Sequence, residues 1–347
     1  MATNDILVTG CGAFTGLEVV RALRMADSKE RILGTEVSWF GQRNAERECD
    51  EVTLIPRAYD PGYEEAMIEL LTRSNIGLVF VNYDVELEHI AKWRNQVSVS
   101  LSCPNQASLE VCLDKGKTFD RADGHVAIPG TLTVKSEVDL ELGFERYGRP
   151  LWLRCASGQS GRGSIIISEP HHAMSWIRYW QNVKDATDEW LVHEYLPGRD
   201  LNWTSLWFEG ELITSVAGER LKYFLAESSV SGITGNVSHC RTIKGGAANE
   251  TAEAAVRAVV GKPHGLFSVD LREDKNGVPR LTEIGVRCAF RPLLLAKAGV
   301  NFPRVLADLV LYGLLPALPR YDAATIGVEM YRGMDVEPVF LLNGEIM

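Results

Sequence analysis

The chain opens on an apolar run, Ile6-Leu7-Val8, closed by Thr9-Gly10-Cys11-Gly12 and followed by apolar positions at Leu17, Val20 and Leu23. A short apolar run ended by glycines is the pattern of a strand buried on both faces, and the spacing after it is helical. Together they predict the strand, glycine turn and helix that open a doubly wound α/β domain. The pattern continues with a strand at 32–36, a helix over 63–74 and a strand at 76–82. Tyr83 and Asp84 then fall at a strand end, where open α/β sheets bind ligands, although Asp84 suits a helix N-cap better. Cys103-Pro104-Asn105, after another short strand, marks a domain boundary.

Beyond residue 104 the pattern becomes α+β. A helical stretch holds Asp114, Lys115 and Lys117, and strands over 150–154 and 164–167 flank a loop of small residues. An apolar strand over 190–196 breaks at Pro197-Gly198 and resumes as a hairpin turning near Gly210. Helices are expected over 251–260 and 301–315, and late strands at 328–335 and 339–342. Between these, Phe267 to Leu271 alternates as a strand, Asp274 to Gly277 supplies turn residues, and Leu281 to Val286 reads as a second strand. This hairpin sets Asp270 opposite Glu283. Two carboxylates on one face suit Mg2+ held against a phosphate, while a solvated hairpin is the plainer account of the pair taken alone.

At 347 residues, 46% hydrophobic and 24% charged, the chain can bury two or three cores. Its formal net charge of -10 argues against broad binding to nucleic acid or anionic membranes but leaves room for a local basic pocket. No apolar run approaches the ~20 residues of a membrane span, and the N-terminus lacks the basic flank of a signal peptide, so a cytoplasmic protein is expected. The seven cysteines are dispersed, with no Cys-x-x-Cys pair, and read as buried small hydrophobes. His171 and His172 are adjacent, diverge on either kind of element and have no nearby Cys to complete a zinc site.

Two glycine-rich segments carry candidate chemistry. Gly10-x-Gly12-x-x-x-Gly16 departs from Gly-x-Gly-x-x-Gly, and the chain lacks a Tyr-x-x-x-Lys of short-chain dehydrogenases, so an NAD-dependent oxidoreductase stands only as an alternative. The second segment sets Arg154 before a loop with Gly158, Gly161 and Gly163 among Ser157, Ser160 and Ser164. Two strands joined by such a loop can fold over a triphosphate, with serine and backbone N–H donors and Arg154 as the fixed charge. The small residues of 228–236 suit the lining of an acceptor pocket or a long surface connection.

In this order the parts resemble the ATP-grasp superfamily, and within it the carbamoyl-phosphate-synthase-like carboxylate-amine ligases. The likeness runs over nearly the whole chain, through the N-terminal glycine turn, the Asp114-Lys115 helix, the Arg154 to Gly163 strand and loop, the Glu194 to Asp200 hinge, and Asp270 with Glu283-Ile-Gly-Val-Arg287. It implies a doubly wound pre-ATP-grasp domain over 1–103, then a two-lobed ATP-grasp domain. The small lobe with the glycine-rich loop spans 104–187, and the C-terminal lobe with the metal hairpin spans 188–347.

By the same resemblance, Lys115, Arg154, Ser157, Gly158, Gly161, Gly163 and Ser164 meet the ATP phosphates. The backbone of Glu194, Tyr195 and Leu196 meets the base, and Asp200 the ribose. Asp270 and Glu283 hold Mg2+, and Arg287, with Arg220 or Lys222, faces the reacting phosphate and the substrate carboxylate. The implied reaction activates a small carboxylate, an amino acid or similar, as an acyl phosphate and joins it to an amine, with residues 158–163 closing as a lid. Two positions depart from the family: Gly285 stands where asparagine usually adds a metal ligand, and Arg154 where lysine is usual. Gly285 keeps open a catalytically reduced ATP-binding protein with a regulatory or partner role. The partners expected are small molecules, not nucleic acid or membrane, and a homodimer is compatible with the reading.

Overall fold

Three sheets carry the chain in the computed structural model, which describes residues 4–73, 75–156, 161, 163–184, 189–333 and 339–347. The first sheet is parallel, with strands β1 Asp5–Thr9, β2 Ile32–Glu36, β3 Glu51–Leu54, β4 Ile76–Phe80 and β5 Ser100–Leu101 in the order β3-β2-β1-β4-β5. β1 lies at its centre and is buried along its length, as its apolar run predicts. β3 escapes the hydrophobic pattern because it is a partly exposed edge strand, Glu-Val-Thr-Leu, with no apolar run. The helix after β4 begins at Asp84 with Tyr83 as its N-cap. The cap expected at Asp84 is therefore one residue earlier, and the Asp84 carboxylate is released for an ion pair with Arg287.

The glycine turn after β1 is filled by the protein itself. A Cβ on Gly16 would lie 2.2 Å from the Gly10 carbonyl oxygen, and one on Gly12 would lie 1.9 Å from that of Gly41. The Gly12 N–H donates to Glu36 Oε1 at 2.7 Å. A donor that a dinucleotide fold would offer to a pyrophosphate is thus engaged internally, which counts against the NAD alternative.

Behind this turn sits Glu86, 7% exposed, accepting from the Thr9 and Tyr63 hydroxyls. Burial pushes its carboxyl up to about 7, against hydrogen bonds that favour the ionised form. Because the folded value exceeds the ordinary one, the folded state holds this proton more tightly. Its stabilising contribution is complete below about pH 4.5 and is lost as pH rises through 7. Relative to Glu86→Gln, the natural chain should lose roughly 3 kcal/mol of stability across that window. Denaturant unfolding of both proteins at several pH values checks this, and parallel curves would contradict it.

The second sheet is antiparallel, with β6 Thr131–Val134, β7 Leu151–Cys155, β8 Ile165–Ile167 and β9 Trp190–Glu194 in the order β6-β9-β7-β8. It has its own core, in which Leu140, Leu151, Leu153, Ile177 and Val192 pack together. Since β9 pairs with both β6 and β7, this sheet continues past the break expected at 187.

The third sheet holds β10 Asp200–Phe208, β11 Glu211–Tyr223, β12 Val237–Ile243, β13 Gly265–Glu273, β14 Pro279–Gly285, β15 Val328–Tyr331, β16 Val339–Leu342 and β17 Glu345–Ile346. Their order is β14-β13-β10-β11-β12-β15-β16-β17. Its Trp203, Trp207 and Phe267 share one core with Leu7 and Val79 of the first sheet and with Val256 of the helix Ala247–Val260. All seven cysteines are buried, and none is joined in a disulfide among the described residues. Among the described residues, no helix is long and apolar enough to cross a membrane.

Candidate active site

A cavity of about 760 Å³ is lined by residues from all three sheets. At its wall, β13 and β14 pair Asp270 with Glu283, in the register expected of the hairpin. The next pair is Leu271 with Leu281, so Thr282 is the extra residue of a β-bulge. The Thr282 hydroxyl donates to the Asp270 carbonyl at 3.0 Å, and its carbonyl accepts from Arg154 Nη2 at 2.9 Å. The bulge therefore ties the cation of the glycine-loop strand to the carboxylate hairpin of another sheet.

The carboxylates differ in their company. Asp270 Oδ1 accepts from Arg220 Nη2 and from Asn202 Nδ2, each at 2.7 Å. Glu283 Oε2 lies 3.5 Å from Lys115 Nζ. Burial pushes the Asp270 carboxyl up, and the charge of Glu283 adds to this, with Arg220 offsetting only part. Burial acts on Glu283 too, but Lys115, Arg154 and Arg287 outweigh it and hold that carboxyl below its ordinary range. Ionised Asp270 is short of positive charge.

The other expected residues gather here. Lys115, Arg154, Gly161, Ser164, Glu194, Tyr195, Leu196, Asp200, Arg220, Lys222 and Arg287 all line the cavity with Asp270 and Glu283. Gly163 packs behind it, its Cβ position 3.2 Å from Cys155 Sγ. Ser157 and Gly158 lie outside the described residues, as does most of the segment expected to act as a lid. A Cβ on Gly161 would meet the Ile233 carbonyl at 2.9 Å, so the end of the glycine loop touches the 229–236 loop. Ser231, Ile233 and Asn236 of that loop line the cavity.

Three expected contacts are already engaged within the protein. Asp200 Oδ1 accepts from Arg220 Nη1 at 3.0 Å, and Oδ2 accepts from the Tyr223 hydroxyl at 2.7 Å and Arg272 Nη1 at 3.2 Å. In the hinge, the Glu194 N–H donates to the Gly130 carbonyl and the Leu196 carbonyl accepts from Arg272 Nε. Arg287 holds Asp84 through Nε, 2.7 Å from Oδ1, and Nη2, 3.5 Å from Oδ2.

The lining suits an anionic ligand. Seven Lys and Arg side chains face four Asp and Glu, a positive balance in a chain of net charge -10. Arg154 Nε and His193 Nε2 are buried with no hydrogen-bond partner among the described residues. Burial, with Arg154 and Lys115 nearby, keeps the His193 ring neutral. Among the described residues no three His, Cys, Asp or Glu side chains converge as a metal cage. Two carboxylates beside a cationic cavity fit Mg2+, which keeps several waters and takes phosphate oxygens as further ligands.

The sequence matches no family model and no curated protein. Solved structures do match. The biotin carboxylase domain of 2-oxoglutarate carboxylase from Hydrogenobacter thermophilus, in complex with MgADP, ADP and bicarbonate, is 12% identical with a TM-score of 0.72, over 95% of this chain and 74% of that one. N5-carboxyaminoimidazole synthetase from Staphylococcus aureus is 14% identical with a TM-score of 0.69, over 94% of this chain and 82% of that one. L-amino acid ligase from Bacillus licheniformis is 14% identical with a TM-score of 0.66, over 95% of this chain and 79% of that one. At such identities the likeness shows the fold alone: the chain shares its architecture with these three enzymes.

Proposed function

We propose that this protein is an ATP-dependent carboxylate-amine ligase that activates a small carboxylate, an amino acid or similar, as an acyl phosphate and joins it to an amine. The observation that carries the reading is the Asp270–Glu283 pair at the wall of a cavity ringed by cations. The MgADP of the carboxylase neighbour and the reaction named for the amino acid ligase support it. Asp270 and Glu283 would hold Mg2+, which supplies the charge neutralisation that phosphoryl transfer between anions requires.

This chain's own residues do the rest. Lys115 and Arg154 present fixed positive charge to the phosphates, and the carbonyl of Thr282 holds Arg154 in place. Tyr195 and Leu196 line the cavity as the surface for the base, with the Leu196 carbonyl held by Arg272. Arginine has five N–H donors, so Arg287, bound to Asp84 by one edge, keeps others for the substrate carboxylate. Asp200 anchors Arg220 and Arg272 and is not carried forward as the ribose acceptor. Incubation with ATP, Mg2+ and pooled carboxylic acids and amino acids should release ADP and phosphate above the rate with ATP alone. Absence of any substrate-dependent release would exclude the ligase.

A second reading, an ATP-binding protein without turnover, is favoured by Gly285 alone. A Cβ there would stand 3.2 Å from the Ser268 carbonyl oxygen, a tight fit that requires the paired strand to give by a few tenths of an ångström. Gly285→Asn should fold, at a cost of about 1–3 kcal/mol. A gain in ADP formation by this variant would mean that the missing side-chain oxygen limits the natural chain. Unchanged turnover would mean that a water serves there.

A further inference from the structure

The cavity has a second charged end, remote in sequence from the nucleotide motifs. From Gly285 the chain runs along its wall through Arg287, Ala289 and Phe290 to Arg291. Phe290 is pinned against the sheet at Gly218, where a Cβ would come within 2.3 Å of its ring. Arg291 is 4% exposed and adopts φ +24, a backbone conformation that a non-glycine residue holds only when its surroundings impose it. Its Nη1 lies 2.9 Å from Glu18 Oε1, yet is not aligned for a hydrogen bond to any described residue.

Arg332 approaches the same oxygen at 3.4 Å, with its guanidinium 4.0 Å above the Phe14 ring. Two buried guanidinium groups thus share one oxygen of one carboxylate, while Glu18 Oε2 and Arg332 Nη2 have no hydrogen-bond partner among the described residues. Buried charge without a full set of partners is costly, and here the surplus is positive. Beside it the helix Phe14–Met25 starts, with Ala13, Phe14 and Thr15 lining the cavity. That helix has no side-chain cap and no acidic residue in its first turn, and the nearby Glu36 carboxylate is taken up by the Gly12 N–H ahead of the cap.

We propose that one of the two organic substrates carries, besides its reacting group, a second anionic group, carboxylate or phosphate, that docks between Arg291 and the N-terminus of the helix Phe14–Met25. The inference rests on the cavity being the site of the ligation proposed above. Arg332 and Glu18 act from behind: Glu18 positions Arg291 while competing with the ligand for it. The glycine turn after β1 then serves as the floor of an organic-substrate subsite, close to Gly12 and Glu36 but using the next N–H groups along the helix.

The test is ligand-dependent thermal unfolding of the full chain with inorganic phosphate, glycine and glycinamide as probes, and with MgADP in parallel. Phosphate or glycine should raise the midpoint where glycinamide does not, and the stronger of the two identifies the docked group. Arg291→Lys, which loses the planar fork, should weaken that affinity by about tenfold. Glu18→Gln, which removes the competing carboxylate, should strengthen it by a similar factor, and the MgADP response should be unchanged in both. If Arg291→Lys does not fold, Glu18→Gln decides alone. Equal responses to glycine and glycinamide with none to phosphate, or anion affinity that Glu18→Gln leaves unchanged or weakens, would overturn the site. Failure of MgADP alone to bind would instead remove the nucleotide reading and leave the anion result standing.

Discussion

Replacing Glu283 by glutamine is expected to lower substrate-dependent ADP formation by about 10³-fold while changing stability by no more than about 1–2 kcal/mol. The two effects separate because they depend on different properties of the side chain. Glutamine keeps the length and shape of glutamate and still accepts a hydrogen bond from Lys115, whose Nζ is 3.5 Å away. It cannot supply the negative charge that three surrounding cations hold ionised against burial. A metal bridging to phosphate oxygens loses one of its two protein ligands, and Lys115 and Arg154 lose the anion that orients them. Steady-state ADP formation and thermal unfolding on one preparation check the split. A large fall in the unfolding midpoint with turnover retained would make Glu283 a structural residue.

The second large effect concerns Arg220. Its Nη1 is 3.0 Å from Asp200 Oδ1 and its Nη2 2.7 Å from Asp270 Oδ1, with 12% of the side chain exposed. Arg220→Met keeps the apolar stem beside Phe290, over which the guanidinium lies at 5.6 Å. It also leaves two largely enclosed carboxylates without their shared cation. Removing one partner of such a network costs about 3–5 kcal/mol, because the remaining charges stay desolvated and unpaired. Tyr223 and Arg272 still serve Asp200, whereas Asp270 keeps Asn202 as its one other hydrogen-bond donor among the described residues. Mg2+ should therefore raise the unfolding midpoint of the variant more than that of the natural chain. Equal Mg2+ responses would mean that the cation does not bind at Asp270.

Much of the fold was legible because its signals are periodic. The apolar runs of β1, β2 and β4 and the alternation of β13 and β14 locate both the parallel sheet and the hairpin, including the Asp270–Glu283 register. Edge strands such as β3 lack that signal, since exposure on one side removes the apolar run. The candidate site was legible as a set of residue types in order, but not as a set of pairings. That Arg287 meets Asp84 depends on a contact between residues 203 apart, which no local pattern encodes.

Asn202 could have been found, since it stands two residues after Asp200 on a strand and so shares its face. Its partner Asp270 is its cross-strand neighbour in the β10–β13 ladder. Arg272 lies two residues from Asp270 by the same rule and reaches Asp200. Arg291 and Glu18 carry no such sign. They meet only because the helix after the glycine turn packs against the helix Pro292–Lys297.

The most direct test of the account is a crystal structure with Mn2+ in place of Mg2+ and a non-hydrolysable ATP analogue, read by the anomalous signal of the metal. The account predicts a peak bonded to both the Asp270 and the Glu283 carboxylates, with the nucleotide phosphates between it and the Lys115 and Arg154 side chains. A nucleotide bound elsewhere, or a metal touching neither carboxylate, would contradict it.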